Sequence, residues 1–336
     1  MSKKNKIVIG LILIILIVIV VLSISLKKQG LEPTSSQLIK LKLGGHTTIA
    51  GVILETAQDK GFFNEQGLDV EIERIESSKI SMAGLENGEL DIVIGSRSAG
   101  TFNYLAKDEK LRIIADAGRV TPVIIIRKDL KDSIKTLKDL KDKTFATPRQ
   151  GSTSQYAFAK VLESVGLSLN DIISKSLKQQ EAVTALETGN LDAGIINEPY
   201  ATIAIDKGIG IRLGENEVEK LFPNGQQHMV LLITTNTLTD KANAVKKFFK
   251  AYKKAVDYYN KAKEGNQPER DEVIRIISNY TGIDSKIINK IVWIDIASNL
   301  KPDMAYLEEA QDWYFENGFL EQKVNLHEKV DLSFLP

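Results

Sequence analysis

The chain contains no cysteine. That excludes disulfides, thiolate zinc sites, a thiol nucleophile and lipid attachment through an N-terminal cysteine. It has no charge surplus either: 44 Lys and Arg balance 44 Asp and Glu. Nucleic-acid binders carry a basic excess, so no nucleic-acid partner is expected. Histidine is scarce, and His46, His228 and His327 lie far apart with no HExxH or other metal-ligand spacing. No Walker loop, GxGxxG or Ser-His-Asp order supports catalysis. The reading is therefore a protein that is not an enzyme and carries no cofactor or metal. The 336 residues exceed one average domain, and 43% hydrophobic with 26% charged residues suits a globular chain of two lobes.

The first 26 residues differ from the rest. Lys3, Lys4 and Lys6 precede Ile7–Leu26, an apolar run interrupted only by Gly10, Ser23 and Ser25. As a helix, about twenty residues span about 30 Å, the thickness of a bilayer core. Ser23-Ile24-Ser25 offers a small-x-small cleavage site. The run is nevertheless long for a signal core and lacks an Ala-x-Ala end, which favours an uncleaved anchor over a cleaved signal. Three lysines before it against Lys27 and Lys28 after it favour the N-terminus inside and the remainder outside the cytoplasm. Residues 27–37 read as a tether.

One short sentence occurs twice. Leu85, Glu86, Gly88, Leu90 and Asp91 recur 101 positions later as Leu186, Glu187, Gly189, Leu191 and Asp192. Around the first copy, alternation and capping residues predict a strand over Leu38–Leu43, a helix from Thr47 or Thr48 to Lys60, a strand over Leu68–Ile75, a helix with Ile80, Ala83 and Leu85 inward, and a strand over Asp91–Ile94. Around the second copy they predict strands at Lys143–Thr147, Ile173–Leu177 and Leu191–Ile196 separated by helices. Each copy reads strand–helix–strand–helix–strand. The repeat is a helix end, a left-handed Gly and an Asp before a strand, so it serves the turn rather than a ligand. The fold expected is α/β with mainly parallel sheets.

A strand follows at His228–Thr235, then a helix with Val245, Phe248, Phe249, Tyr252, Val256 and Tyr259 on one face. Further helices are expected at Asp271–Tyr280, Asp284–Trp293 and Pro302–Asn317. They have no sheet of their own, so the chain should return to the first lobe. Lobe I then comprises 38–122 and 229–336, lobe II 123–228, and a two-strand hinge falls near Thr121–Ile126 and His228–Leu232.

Four stretches carry a resemblance: AQDKGFFNEQGLDVE (Ala57–Glu71), GSTSQYAFAKVLESVGLSLNDI (Gly151–Ile172), AVTALETGNLDAGIINEP (Ala182–Pro199) and VDLSFLP (Val330–Pro336). Over about residues 38–336 the chain resembles the solute-binding proteins of the nitrate/sulfonate/taurine and thiamine-pyrimidine (NMT1-like) group. The resemblance implies a two-lobe periplasmic-binding-protein type II fold and a monomeric external receptor of an ABC importer, partnered by a permease and an ATPase. It leaves the ligand open. Many bacterial relatives carry a lipobox cysteine, and here the apolar segment would do the tethering.

In open α/β sheets ligands bind beyond the carboxyl ends of the strands. Those ends offer His46, Thr47, Thr48, Ser96, Arg97, Arg119, Thr121, Arg149, Gly151, Ser152, Thr153, Asn197, Glu198 and His228. Gly151–Ser154 is the sharpest element, a small-residue loop that opens a helix and presents free amides to an anion. Arg97, Arg119 and Arg149 each follow a strand and favour an anionic ligand of the sulfonate, nitrate or taurine type. Glu198 reads as a helix-start carboxylate or a partner for a ligand amine, and His228 as a packed hinge residue. Tyr156 and Tyr200 sit at helix-core spacing, so a neutral heterocycle finds no aromatic wall at these ends. The alternatives are a receptor for a thiamine-precursor pyrimidine, a sensory domain, or an enzyme on the same fold.

Overall fold

The computed structural model describes residues 38–75, 78–147 and 149–336, and the fold is one unit, Ile39–Pro336. The expected anchor at 1–26 and tether at 27–37 lie outside the described residues. Among the described residues no helix is long and apolar enough to cross a membrane.

Among the described residues ten strands form two five-stranded sheets. The first contains β1 (Ile39–Gly45), β2 (Leu68–Arg74), β3 (Ile92–Ser96), β4 (Leu111–Val120) and β10 (Gln226–Thr234), in the order β2-β1-β3-β10-β4. The second contains β5 (Ile124–Arg127), β6 (Thr144–Thr147), β7 (Ile173–Ser176), β8 (Ala193–Ile195) and β9 (Gly210–Leu213), in the order β7-β6-β8-β5-β9. In each sheet the left three strands are parallel and one antiparallel strand joins them to the edge. The chain leaves the first sheet after Val120 and is back in it at Gln226, ahead of the expected return at His228.

The repeated sentence builds the same joint twice. Gly88 and Gly189 both sit at φ 77, which a side chain would strain. The Asp91 carboxylate accepts the Lys42 amide at 2.9 Å, and that of Asp192 accepts the Thr144 amide at 2.9 Å. Each aspartate thus fastens its turn to the first strand of its own parallel set. Lys241 pairs with Asp91, and Arg127 lies 3.7 Å from Asp192.

Helices cover the sheets: α1 (Val52–Asp59), α2 (Ser78–Glu86), α3 (Ala99–Lys107), α4 (Thr153–Glu163), α5 (Gln179–Glu187), α6 (Tyr200–Asp206), α7 (Ala242–Lys263), α8 (Glu269–Thr281) and α9 (Met304–Glu316). All six stripe residues of α7 are buried and join the core beside α1 and β1. Burying a side chain of this size contributes about 1.5–3 kcal/mol relative to leaving it exposed.

Two helices depart from the sequence expectation. In α2, Ile80 is 61% exposed and Ala83 is exposed, while Ser81, Met82 and Leu85 face inward. The inward row is Ser78, Ser81, Met82, Leu85, with helical i, i+3, i+4, i+7 spacing. Its first turn is polar because it faces a cavity. The helix expected over Asp284–Trp293 stops at Lys290, and Ile291 turns extended. The chain is pulled straight because Asp295 pairs backbone to backbone with Arg119.

Helix α4 belongs to two cores. Ala157, Phe158, Val161 and Leu162 pack under the second sheet. Tyr156 and Ala159 pack with Leu307, Ala310, Trp313 and Tyr314 of α9, in a core that includes Val93 and Val230 of the first sheet.

Candidate ligand-binding site

A cavity of about 310 Å³ lies where the two sheets' carboxyl-end loops meet. Its polar floor comes from the loop after β1. Thr48 accepts the Ala50 amide and lies 2.9 Å from His46 Nδ1, so both side chains are held at the wall. The loop needs Gly51, because a Cβ there would stand 2.5 Å from the His46 carbonyl oxygen. Thr47 is not on the wall.

Ser96, the last residue of β3, and Ser98, the cap of α3, line the cavity. Arg97, in the turn between them, points away from the cavity. Arg97 is 1% exposed, its Nε donates to the Gln227 carbonyl at 2.8 Å, and its guanidinium carbon lies 4.9 Å and 4.6 Å from the rings of Tyr156 and Tyr306. It does not reach the cavity, against expectation. Arg119 does not either: its Nε donates to buried Asp116 at 3.0 Å. Only Arg149 of the three stands on the wall.

The opening of α4 supplies the donors. Ser152 caps it, with Oγ accepting the Gln155 amide, and Ser152, Thr153 and Ser154 all line the cavity. As the first two helical residues, Thr153 and Ser154 have amides with no intrahelical acceptor. Gly151, at φ 68, is placed otherwise than expected. Its amide is taken by Gln155 Oε1 at 2.7 Å, and it faces an adjoining cavity of about 400 Å³ with Lys79, Tyr104 and Phe319. Arg149 borders both cavities.

Glu198 lines the cavity, but its carboxylate is already satisfied: Oε1 accepts from Arg212 at 3.0 Å and Oε2 from the Thr202 amide at 3.0 Å. A neutralised carboxylate is a poor partner for a ligand amine. His228 also lines the cavity, and burial, followed by the nearby positive charge of Arg97 and then His46, pushes its pKa down to about 4, so the ring is neutral at pH 7. Asp116, buried beside Gln227, has its pKa raised by desolvation despite Arg119.

Several wall residues escaped the sequence reading. Ser78 and Ser81 follow β2, and Gln179 follows β7; the strand-end rule applied to those two strands finds them. Val292, Trp293 and Ile294 come from the straightened segment after Lys290 and, with Ile49, Ile94 and Met229, make one side of the cavity apolar. Tyr200 is also on the wall, whereas Tyr156 is core. The aromatic surface thought absent is therefore present in Trp293 and Tyr200. Among the described residues no group of three His, Asp or Glu could hold a metal ion.

This architecture has known counterparts. The NMT1/THI5-like family model matches residues 47–264, well over half of the chain. The chain belongs to the NMT1/THI5-like family. A Bacillus subtilis (strain 168) protein named for aliphatic sulfonate binding is 24% identical over 320 residues, covering 91% of this chain and 90% of the relative. The periplasmic aliphatic sulphonate binding protein SsuA from Escherichia coli superposes with a TM-score of 0.69 at 17% identity, covering 87% of this chain and 97% of that one. The periplasmic nitrate-binding protein NrtA from Synechocystis PCC 6803 gives 0.68 at 14% identity, over 89% and 87%. At these identities the superpositions establish a shared periplasmic-binding-protein fold for this family member.

Proposed function

We propose that the protein is the extracytoplasmic receptor of an ABC importer, which takes a small organic anion of the sulfonate type into the cavity and delivers it to a permease. The observation that carries this reading is the opening of α4. Free amides, Ser152, Thr153 and Ser154 and Arg149 converge on one cavity wall, while among the described lining residues the one carboxylate, Glu198, is held by Arg212. Charge-assisted hydrogen bonds of this kind contribute about 1.5–3 kcal/mol each. The names of the relatives support the same class of ligand. The apolar wall of Ile49, Val292 and Trp293 suits a ligand with a short carbon tail.

A second reading, a receptor for a pyrimidine-like heterocycle, is favoured by one observation: Trp293 and Tyr200 offer rings for stacking. A thermal-shift screen of residues 38–336 against alkanesulfonates, nitrate, carboxylates and pyrimidines separates the two. A best ligand that is neutral would overturn the anion reading.

Ser152, Thr153, Thr48, Ser96, Arg149 and His228 are the contacts proposed for the ligand. Residues 1–26 are proposed as a membrane anchor, on the strength of the uncharged run Ile7–Leu26. Protease treatment of intact cells should digest residues 38–336; a freely released protein beginning near Leu26 would speak for signal cleavage instead.

A further inference from the structure

Arg97 is the largest charged side chain buried in the described fold, and its surroundings are unusual. It is 1% exposed, and neither Nη1 nor Nη2 has a hydrogen-bond partner. Among the described residues it forms no ion pair. Only its Nε is used, on the Gln227 carbonyl, and the faces of Tyr156 and Tyr306 flank the rest. Two rings offset part of the cost of burying a cation, but they do not replace a counterion.

The cation lies just behind the cavity wall. Its chain neighbours Ser96 and Ser98 both line the cavity. Its backbone amide donates to the His228 carbonyl at 2.9 Å, and His228 is itself a wall residue. The low pKa of His228 has the Arg97 charge as its second cause, after burial, so the field of Arg97 is felt at the wall.

We propose that Arg97 gives the cavity its preference for anions through its field, without touching the ligand, the bound anion serving as the counterion this buried cation lacks. This rests on the anion reading above. It makes Arg97 a specificity-determining residue and leaves direct contact to Arg149 and the start of α4. Because Arg97 is buried, the attraction is screened less by salt than that of a surface cation.

The test uses the full-length protein and two probes of similar shape, propanesulfonate and the neutral propanesulfonamide. Calorimetry is run on wild type, Arg97→Gln and Arg97→Lys. In Arg97→Gln the sulfonate should lose about tenfold in affinity while the sulfonamide is unaffected. Arg97→Lys keeps the charge and should restore sulfonate binding to near the wild-type value. Equal sulfonate affinity in wild type and Arg97→Gln overturns the proposal, and so does an equal loss for both probes, which marks a role in shape alone. A second readout needs no ligand. The His228 ring, followed by NMR, should titrate near pH 4 in wild type and higher in Arg97→Gln. If wild type binds neither probe, the anion reading fails, and the His228 midpoint alone decides whether the Arg97 field reaches the wall. If Arg97→Gln does not fold, a wild-type midpoint at the ordinary histidine value is sufficient to overturn the idea.

Discussion

Arg212 holds Glu198 at 3.0 Å beside the cavity. The Glu198 side chain is 8% exposed, so its charge would be felt strongly by any ligand if the partner were removed. The same guanidinium reaches Glu215 at 3.0 Å, on the solvent side. On the anion reading proposed above, this pairing matters for the sign of the wall: it offsets the Glu198 charge, which would otherwise face an anionic ligand.

Arg212→Met should therefore weaken propanesulfonate binding by at least tenfold, an effect of about 1.4 kcal/mol or more. Glu215→Gln, which removes only the exposed partner, should leave the affinity where it was. Calorimetry on the two variants checks both halves; similar affinities for Arg212→Met and wild type would show that Glu198 does not face the ligand.

Ser152→Asp should abolish anion binding while leaving the fold intact. Asp caps a helix as well as Ser, and a carboxylate suits the positive helix end, so the melting temperature should hold within about 2 °C. At the mouth of α4 the same carboxylate would repel an anion at contact distance. Unchanged affinity in this variant would mean that the ligand does not use the α4 opening.

His228 predicts an acid sensitivity. Its folded-state pKa is about 4, below the ordinary 6.5, so the folded protein binds fewer protons than the unfolded chain between those values. Stability from this group is whole above pH 6.5 and is lost as the pH falls toward 4, by on the order of 3 kcal/mol. Urea unfolding of wild type and His228→Gln at pH 7 and pH 4.5 should show a smaller acid loss in the variant. Parallel pH curves would rule this out.

Tryptophan supplies a direct reporter. The sequence has two, and Trp293 lines the cavity while Trp313 lies in the α4–α9 core. Trp313→Phe leaves Trp293 as the sole indole, and its emission should change on saturation with ligand. Silence from Trp293 when calorimetry reports binding would place the ligand elsewhere.

The sequence carried most of the architecture and less of the site. Strand and helix order around Asp91 and Asp192 was legible because Gly88 and Gly189 mark where each helix stops ahead of its strand. The reading of α2 failed because its inward row begins with Ser78 and Ser81, which face the cavity instead of the core. Trp293 was assigned to a helix because nothing local marks the long-range pairing of Asp295 with Arg119 that straightens the chain. Arg97 and Arg119 were placed correctly at strand ends, yet one faces two tyrosines and the other a buried aspartate. Position along a strand names the end of a sheet; which way a side chain turns depends on partners far away in the chain.

The double membership of α4 has a consequence for the order in which the protein is made. Tyr156 leaves the ribosome about 150 residues before Tyr306, Trp313 and Tyr314, the rings that enclose it. Until those last residues emerge, the nascent chain carries an uncovered apolar face on a helix whose other side is already packed. Such a face is a natural handle for a chaperone or for an export machinery that must keep its cargo loosely folded. Helix α4 is packed on both of its sides only once α9 has been made.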